Sequence, residues 1–288
     1  VRIAHKPYDA AMPTSEKFAL MSRWIPAGAE FEIAVDVQKA LADPALKERL
    51  GALVGGKEGV AAELVGALLE KQSAVGMLML TGALGEAGQA PSVAVVAQGG
   101  FDDEGFIPAV RAALASGKSG ISSEKVGDRT IFVEADSRDP FGFTMLDGRH
   151  IAVGTREALT SLFSSPPASA PRTPARADAV IFGRLLFGPR ITSLLPQGLA
   201  PVSSIEFASA DGKTLAATIA SESPERVRDT AMFLEGVRTL LLIQEEGNAA
   251  LESILKGMSI EARDGGVNVV CDIIPLVDLW APLGPAKG

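Results

Sequence analysis

The chain is poor in the residues that most often carry chemistry. It has one cysteine, Cys271, and two histidines, His5 and His150, in 288 residues. One cysteine excludes an internal disulfide. Two distant histidines and a single thiol do not make a zinc site, which needs three or four such ligands. Aromatic residues are 5% of the chain, with Trp24, Trp280 and Tyr8 beside twelve Phe. That scarcity argues against sugar or single-strand binding, which usually stacks rings on the ligand. Long apolar runs are also missing: Ala74–Leu80 breaks at Thr81 and Thr239–Ile243 ends at Gln244, far short of the roughly 18 residues of a spanning helix. No basic run exceeds two residues, and the net charge of −8 opposes phosphate backbones and anionic lipid surfaces. Nucleic acid is therefore not an expected partner.

What is present is core-forming material. Hydrophobic residues are 47% and charged residues 22%, the balance of a soluble globular chain. Cys271 fits that picture: alternation places it with Val269 and Ile273 on one strand face, as a small buried residue. A first strand runs from Phe31 to Val37, with Phe31, Ile33, Val35 and Val37 on one face. Asp43-Pro44 is an N-cap and first-turn pair for a helix that Gly55-Gly56 ends. A second helix carries Val60, Leu64 and Leu68, and strands follow near 74–81 and 92–98. Asp102-Asp103-Glu104 opens another helix. Gly127-Asp128 and Asp147-Gly148 mark two hairpins, because such dipeptides suit tight turns. Thr155 caps a short helix.

Four prolines between Ser164 and Ala177 forbid helix and central strand there. The second half then repeats the order of elements. A strand spans 179–186, a hairpin turns at Asp211-Gly212, and a long helix follows Ser223-Pro224. A further helix lies near 248–256, and a last hairpin turns at Asp264-Gly265-Gly266. The expected fold class is α+β, as two similar units, each an antiparallel sheet with helices packed on one face. The boundaries read as an extended arm or tether over 1–23, a first unit over 24–163, a Pro-rich linker over 164–177 and a second unit over 178–288.

Familiar catalytic motifs fail on inspection. Gly51 to Glu58 approaches a phosphate-binding loop, but Glu58 stands where Ser or Thr must hold magnesium, and a helix precedes the loop. Ser122-Ser123-Glu124-Lys125 matches S-x-x-K, yet it enters a strand and lacks its companion motifs. No G-x-S-x-G occurs, and His150, the one histidine outside the arm, reads as a strand polar-face residue. Glu134, Asp136 and Asp139 cluster between two hairpins and form the candidate hard-metal or carboxylate-pair site. On the long helix, Phe233, Leu240 and Ile243 lie outside the main apolar stripe and form the candidate ligand or partner face. No cofactor is implied.

Trp24 to Val37, with Pro26-Ala27-Gly28-Ala29 entering a strand that reaches Val35-Asp36 and then Leu41 and Asp43-Pro44, resembles a class of uncharacterised bacterial secreted proteins and lipoproteins. The resemblance implies a periplasmic or cell-envelope setting, with residues 1–23 as the tether below a lipid anchor, and it carries no activity. The chain begins at Val1, which a removed leader would explain. The functional expectation is a non-enzymatic envelope binding or scaffolding protein for an unknown protein or apolar ligand. The alternatives are a carrier of an apolar small molecule or lipid, and a carboxylate-based hydrolase.

Overall fold

The computed structural model describes residues 9, 11–48, 75–85, 90–101, 121–134, 141–164, 178–187, 202–221, 226–244 and 249–275. The phosphate-loop-like segment 51–58, the acidic group 102–104 and all but Ser164 of the Pro-rich stretch lie outside them.

Twelve strands appear among the described residues, and they are ordered as one antiparallel sheet. Strand makes up 46% of the described residues and helix 35%. This overturns the expectation of two units that each pack helices on one face of a separate sheet. Turn chemistry accounts for the hairpins, while their joining into one ladder rests on pairs distant in sequence, such as β3 with β7. Each short turn returns the chain beside the strand just made, so ladders grow strand by strand and helices are secondary.

By compactness the chain divides into Val1–Lys39 with Lys57–Asp178, and Ala40–Gly56 with Ala179–Gly288. In the first unit the strands are β1 (Phe31–Asp36), β2 (Val75–Ala83), β3 (Ser92–Gly99), β4 (Ile121–Val126), β5 (Arg129–Glu134), β6 (Phe141–Asp147) and β7 (His150–Thr155). Their order is β1-β2-β3-β7-β6-β5-β4. Helix α1 (Thr14–Met21) packs on β2 and β3 and runs into a 3-10 turn, Ser22–Trp24. The tether expected over 1–23 is thus replaced from Thr14 onward by helix. Pro13 sits at the N-cap in extended geometry, where its missing N–H costs nothing. Helix α2 (Val37–Ala42) follows β1 without a loop, and α3 (Arg156–Ser164) packs against β3, β5, β6 and β7.

The second unit holds β8 (Ile181–Leu186), β9 (Val202–Ser209), β10 (Thr214–Ser221), α4 (Val227–Gln244), α5 (Ala249–Gly257), β11 (Ser259–Arg263) and β12 (Gly266–Asp272). Its strand order is β11-β12-β10-β9-β8. Val227 and Ala231 of α4 bury against Val202, Ile219 and Val267, with Leu234, Ile205, Ile260 and Val269 packed around them. Asp211 holds the β9–β10 turn: its Oδ1 accepts from the amides of Lys213 and Thr214, and Gly212 takes φ 69°. Leu46, from the short stretch that belongs to this unit, is 1% exposed.

Candidate functional site

Among the described residues, the most unusual burial is polar. On β1 the apolar set Phe31, Ile33 and Val35 is half-buried, while Glu32, Ala34 and Asp36 are buried. Strand alternation puts those three on one face, opposite Thr81, Met79 and Met77 of β2. That face continues through Gln98 of β3, paired with His150 of β7, which in turn pairs with Asp147 of β6. Helix α1 meets it with Thr14, Lys17, Phe18 and Met21, all buried.

Asp36 is wholly buried, and its charge is met from three directions. Lys17 Nζ lies 3.0 Å from both carboxylate oxygens. Thr14 Oγ1 donates to Oδ2 at 2.7 Å, and the Lys39 amide donates to Oδ1 at 3.3 Å, which makes Asp36 the cap of α2. Such a pair specifies one docking geometry for α1, because removing either partner strands a charge inside, at a typical cost of about 3–5 kcal/mol.

The second half of the cluster starts at a turn. Asp147 folds its side chain back so that Oδ1 accepts from the Arg149 amide at 2.7 Å and from His150 Nδ1 at 2.8 Å. Its Oδ2 accepts from Arg23 Nη2. Burial alone would raise the Asp147 pKa. The hydrogen bonds from His150 and the Arg149 amide, with the charges of His150 and Arg23, outweigh it and bring the pKa down to about 2. His150 is 1% exposed, and its Nε2 lies 3.4 Å from the Gln98 amide nitrogen. Gln98 also donates to the Lys17 carbonyl at 3.2 Å. One tautomer satisfies both ring contacts: Nδ1–H donates to Asp147, and Nε2 accepts from Gln98. The Arg23 guanidinium stacks 5.0 Å from the Trp24 ring centre, and Trp24 tilts over His150 at 6.1 Å.

Chemically this is an Asp–His pair of the kind that orients a general base. The position where a nucleophile would stand is occupied by an amide, and the ring is sealed from solvent. The arrangement fastens α1 and the 3-10 turn to the sheet. His150, expected on a polar strand face, instead points into the interior.

The expected metal group lies almost wholly outside the described residues. Glu134 ends β5, and its side chain, with Asp136 and Asp139, lies outside the described residues. Among the described residues no group of three or more His, Cys, Asp or Glu could hold a metal ion. Cys271 is buried, and desolvation, with the neighbouring Asp272 carboxylate, pushes its thiol pKa up, away from reactivity.

The expected apolar face lies on α4. Leu240 is 58% and Ile243 66% exposed, while Phe233 is half-buried on the flank. Met232, which the sequence reading passed over, is 73% exposed. Met232, Gly236, Leu240 and Ile243 recur at helical spacing, and a Cβ added at Gly236 would meet nothing within 4 Å.

No family model, curated protein or solved structure matches this chain. Function therefore rests on these two features. Among the described residues no helix is long and apolar enough to cross a membrane.

Proposed function

We propose that this is a binding or scaffolding protein of the bacterial envelope that docks a protein partner on the exposed face of α4. One observation carries the reading: Met232, Leu240 and Ile243, all large and apolar, stand 58–73% exposed along one helix face. Large apolar side chains that recur on one exposed helix face mark interaction sites more often than singly scattered ones do. The seam faces solvent, which favours a docking surface over a carrier that encloses an apolar small molecule. The envelope setting rests on the resemblance of residues 24–44 to secreted proteins.

The test is a pair of charge substitutions, Met232→Lys and Leu240→Lys, in the full chain. Both sites are exposed, so thermal unfolding should stay within about 0.5 kcal/mol of the parent. Cross-linking and affinity capture from envelope extract should recover a defined partner with the parent and lose it with the double variant. Recovery of the same partner by the double variant, or of none by the parent, would sink the reading.

A further inference from the structure

We infer that the Asp147–His150–Gln98 chain is a pH-sensitive latch, which holds the N-terminal helical segment Thr14–Trp24 on the sheet and loosens it when the imidazole takes a second proton. The segment is tied to the β6–β7 hairpin by two links. Gln98 bridges the Lys17 carbonyl and His150 Nε2 at 3.2 and 3.4 Å, and Arg23 reaches the Asp147 carboxylate.

With a neutral ring the cluster is balanced. Arg23 and Asp147 cancel, Lys17 and Asp36 cancel, and each ring nitrogen has a partner of the right kind. A proton added at Nε2 changes both accounts. It aims an N–H at an amide nitrogen that itself only donates. Turning the Gln98 amide over would offer its oxygen to the ring, but would take the donor away from the Lys17 carbonyl. Either way the bridge to α1 is broken. The added charge must share its counter-ion: Asp147, 2.8 Å from Nδ1, also pairs with Arg23, whose Nη2 lies 3.5 Å from Nδ1, and the ring is 1% exposed.

The charged groups beside the ring are Arg23 from the 3-10 turn and Asp147 from β6, which also accepts from the Arg149 backbone amide. Lys17 of α1, countered by Asp36 of β1, lies beyond Gln98. Because Asp147 stays ionised down to about pH 2, the carboxylate does not switch in mildly acidic solution. A sealed ring can gain a proton only when its cover lifts, so protonation and release of the segment are coupled.

Hydrogen exchange of the full chain tests this at about pH 7.5 and about pH 5.5, with intrinsic rates corrected. Peptides covering 14–24 should lose about fivefold to tenfold in protection at the lower pH, the worth of one buried hydrogen bond, while β1–β3 do not change. His150→Asn should remove the pH dependence. Gln98→Glu, which gives a protonated ring an acceptor, should reverse its sign. Equal protection of 14–24 at both pH values in the parent overturns the latch, as does an undiminished loss in His150→Asn. Should that variant fail to fold, ring-proton NMR of a His5→Ala chain decides. A His150 signal that titrates together with the amides of 14–24 supports the latch, and one that stays fixed across the same range overturns it.

Discussion

Asp147 shows how much one side chain can organise. Its carboxylate closes a turn, fixes the tautomer of His150 and anchors Arg23, and these bonds hold its pKa at about 2, against 3.8 in a free chain. The sign follows from linkage. A depressed folded-state pKa contributes stability that is fully present above the unfolded value and is lost as pH falls through the folded one. Acid titration of stability should therefore show a component lost between pH 3.8 and about 2, and Asp147→Asn should flatten it. An unchanged acid limb in Asp147→Asn would show that these bonds do not persist in solution. The carboxylate-rich sequence gave little hint of this residue, since Asp-Gly reads as a turn and nothing more. The turn was legible; the bond to Arg23 depends on a residue 124 positions away, and the one to His150, three residues on, depends on a ring orientation that Gln98 and Trp24 set from other elements.

Among the elements, α1 and α4 mark the two ways in which periodicity misleads. In α1 the inward positions Thr14, Lys17, Phe18 and Met21 follow helical spacing, yet two of the four are polar. A hydrophobic pattern is silent there, because the complement to Lys17 and Thr14 is a carboxylate from another element. The same reason hides Glu32 and Asp36 on β1, where the apolar alternation was correct but belonged to the less buried face. In α4 the pattern was legible on the inner side, where Val227, Ala231 and Leu234 meet the sheet. The outer side was legible in part, through Leu240 and Ile243. Two glycines allow a direct contrast in the second unit. Gly236→Ala, in open space mid-helix, should stabilise by about 0.5–1 kcal/mol. Gly212→Ala should destabilise by about 1–3 kcal/mol, because its φ is 69° and a Cβ would sit 2.8 Å from Leu46 Cδ1. Urea unfolding of both variants measures the difference, and equal midpoints would refute the assignment.

For the whole molecule, antiparallel ladders set the architecture. Nearly every strand was readable from alternation and turn residues, but strand order was not, because a hairpin signal is local and the joining of ladders is not. The division of the chain was also beyond local signals. Ala40–Gly56 belongs with Ala179–Gly288, so sequence neighbours sit in different compact units. Leu46→Ala should then cost the second unit about 2–5 kcal/mol, the usual price of emptying a buried leucine site. A fragment of 179–288 alone should melt at lower temperature and less cooperatively than the full chain, by calorimetry. A sharp transition at the parent temperature would show that the early segment is dispensable.

That interleaving has a consequence for how the chain is made. Synthesis is vectorial, and Leu46 emerges from the ribosome more than a hundred residues before Val180, whose unit it completes. At roughly 5–20 residues per second, that is a wait on the order of ten seconds. During it the early segment has no place to dock, and the nascent chain must carry an unsheltered greasy stretch past its own first unit. A chaperone holding nascent chains would find a binding stretch there, on a protein whose second unit takes up a segment made before the first unit is complete.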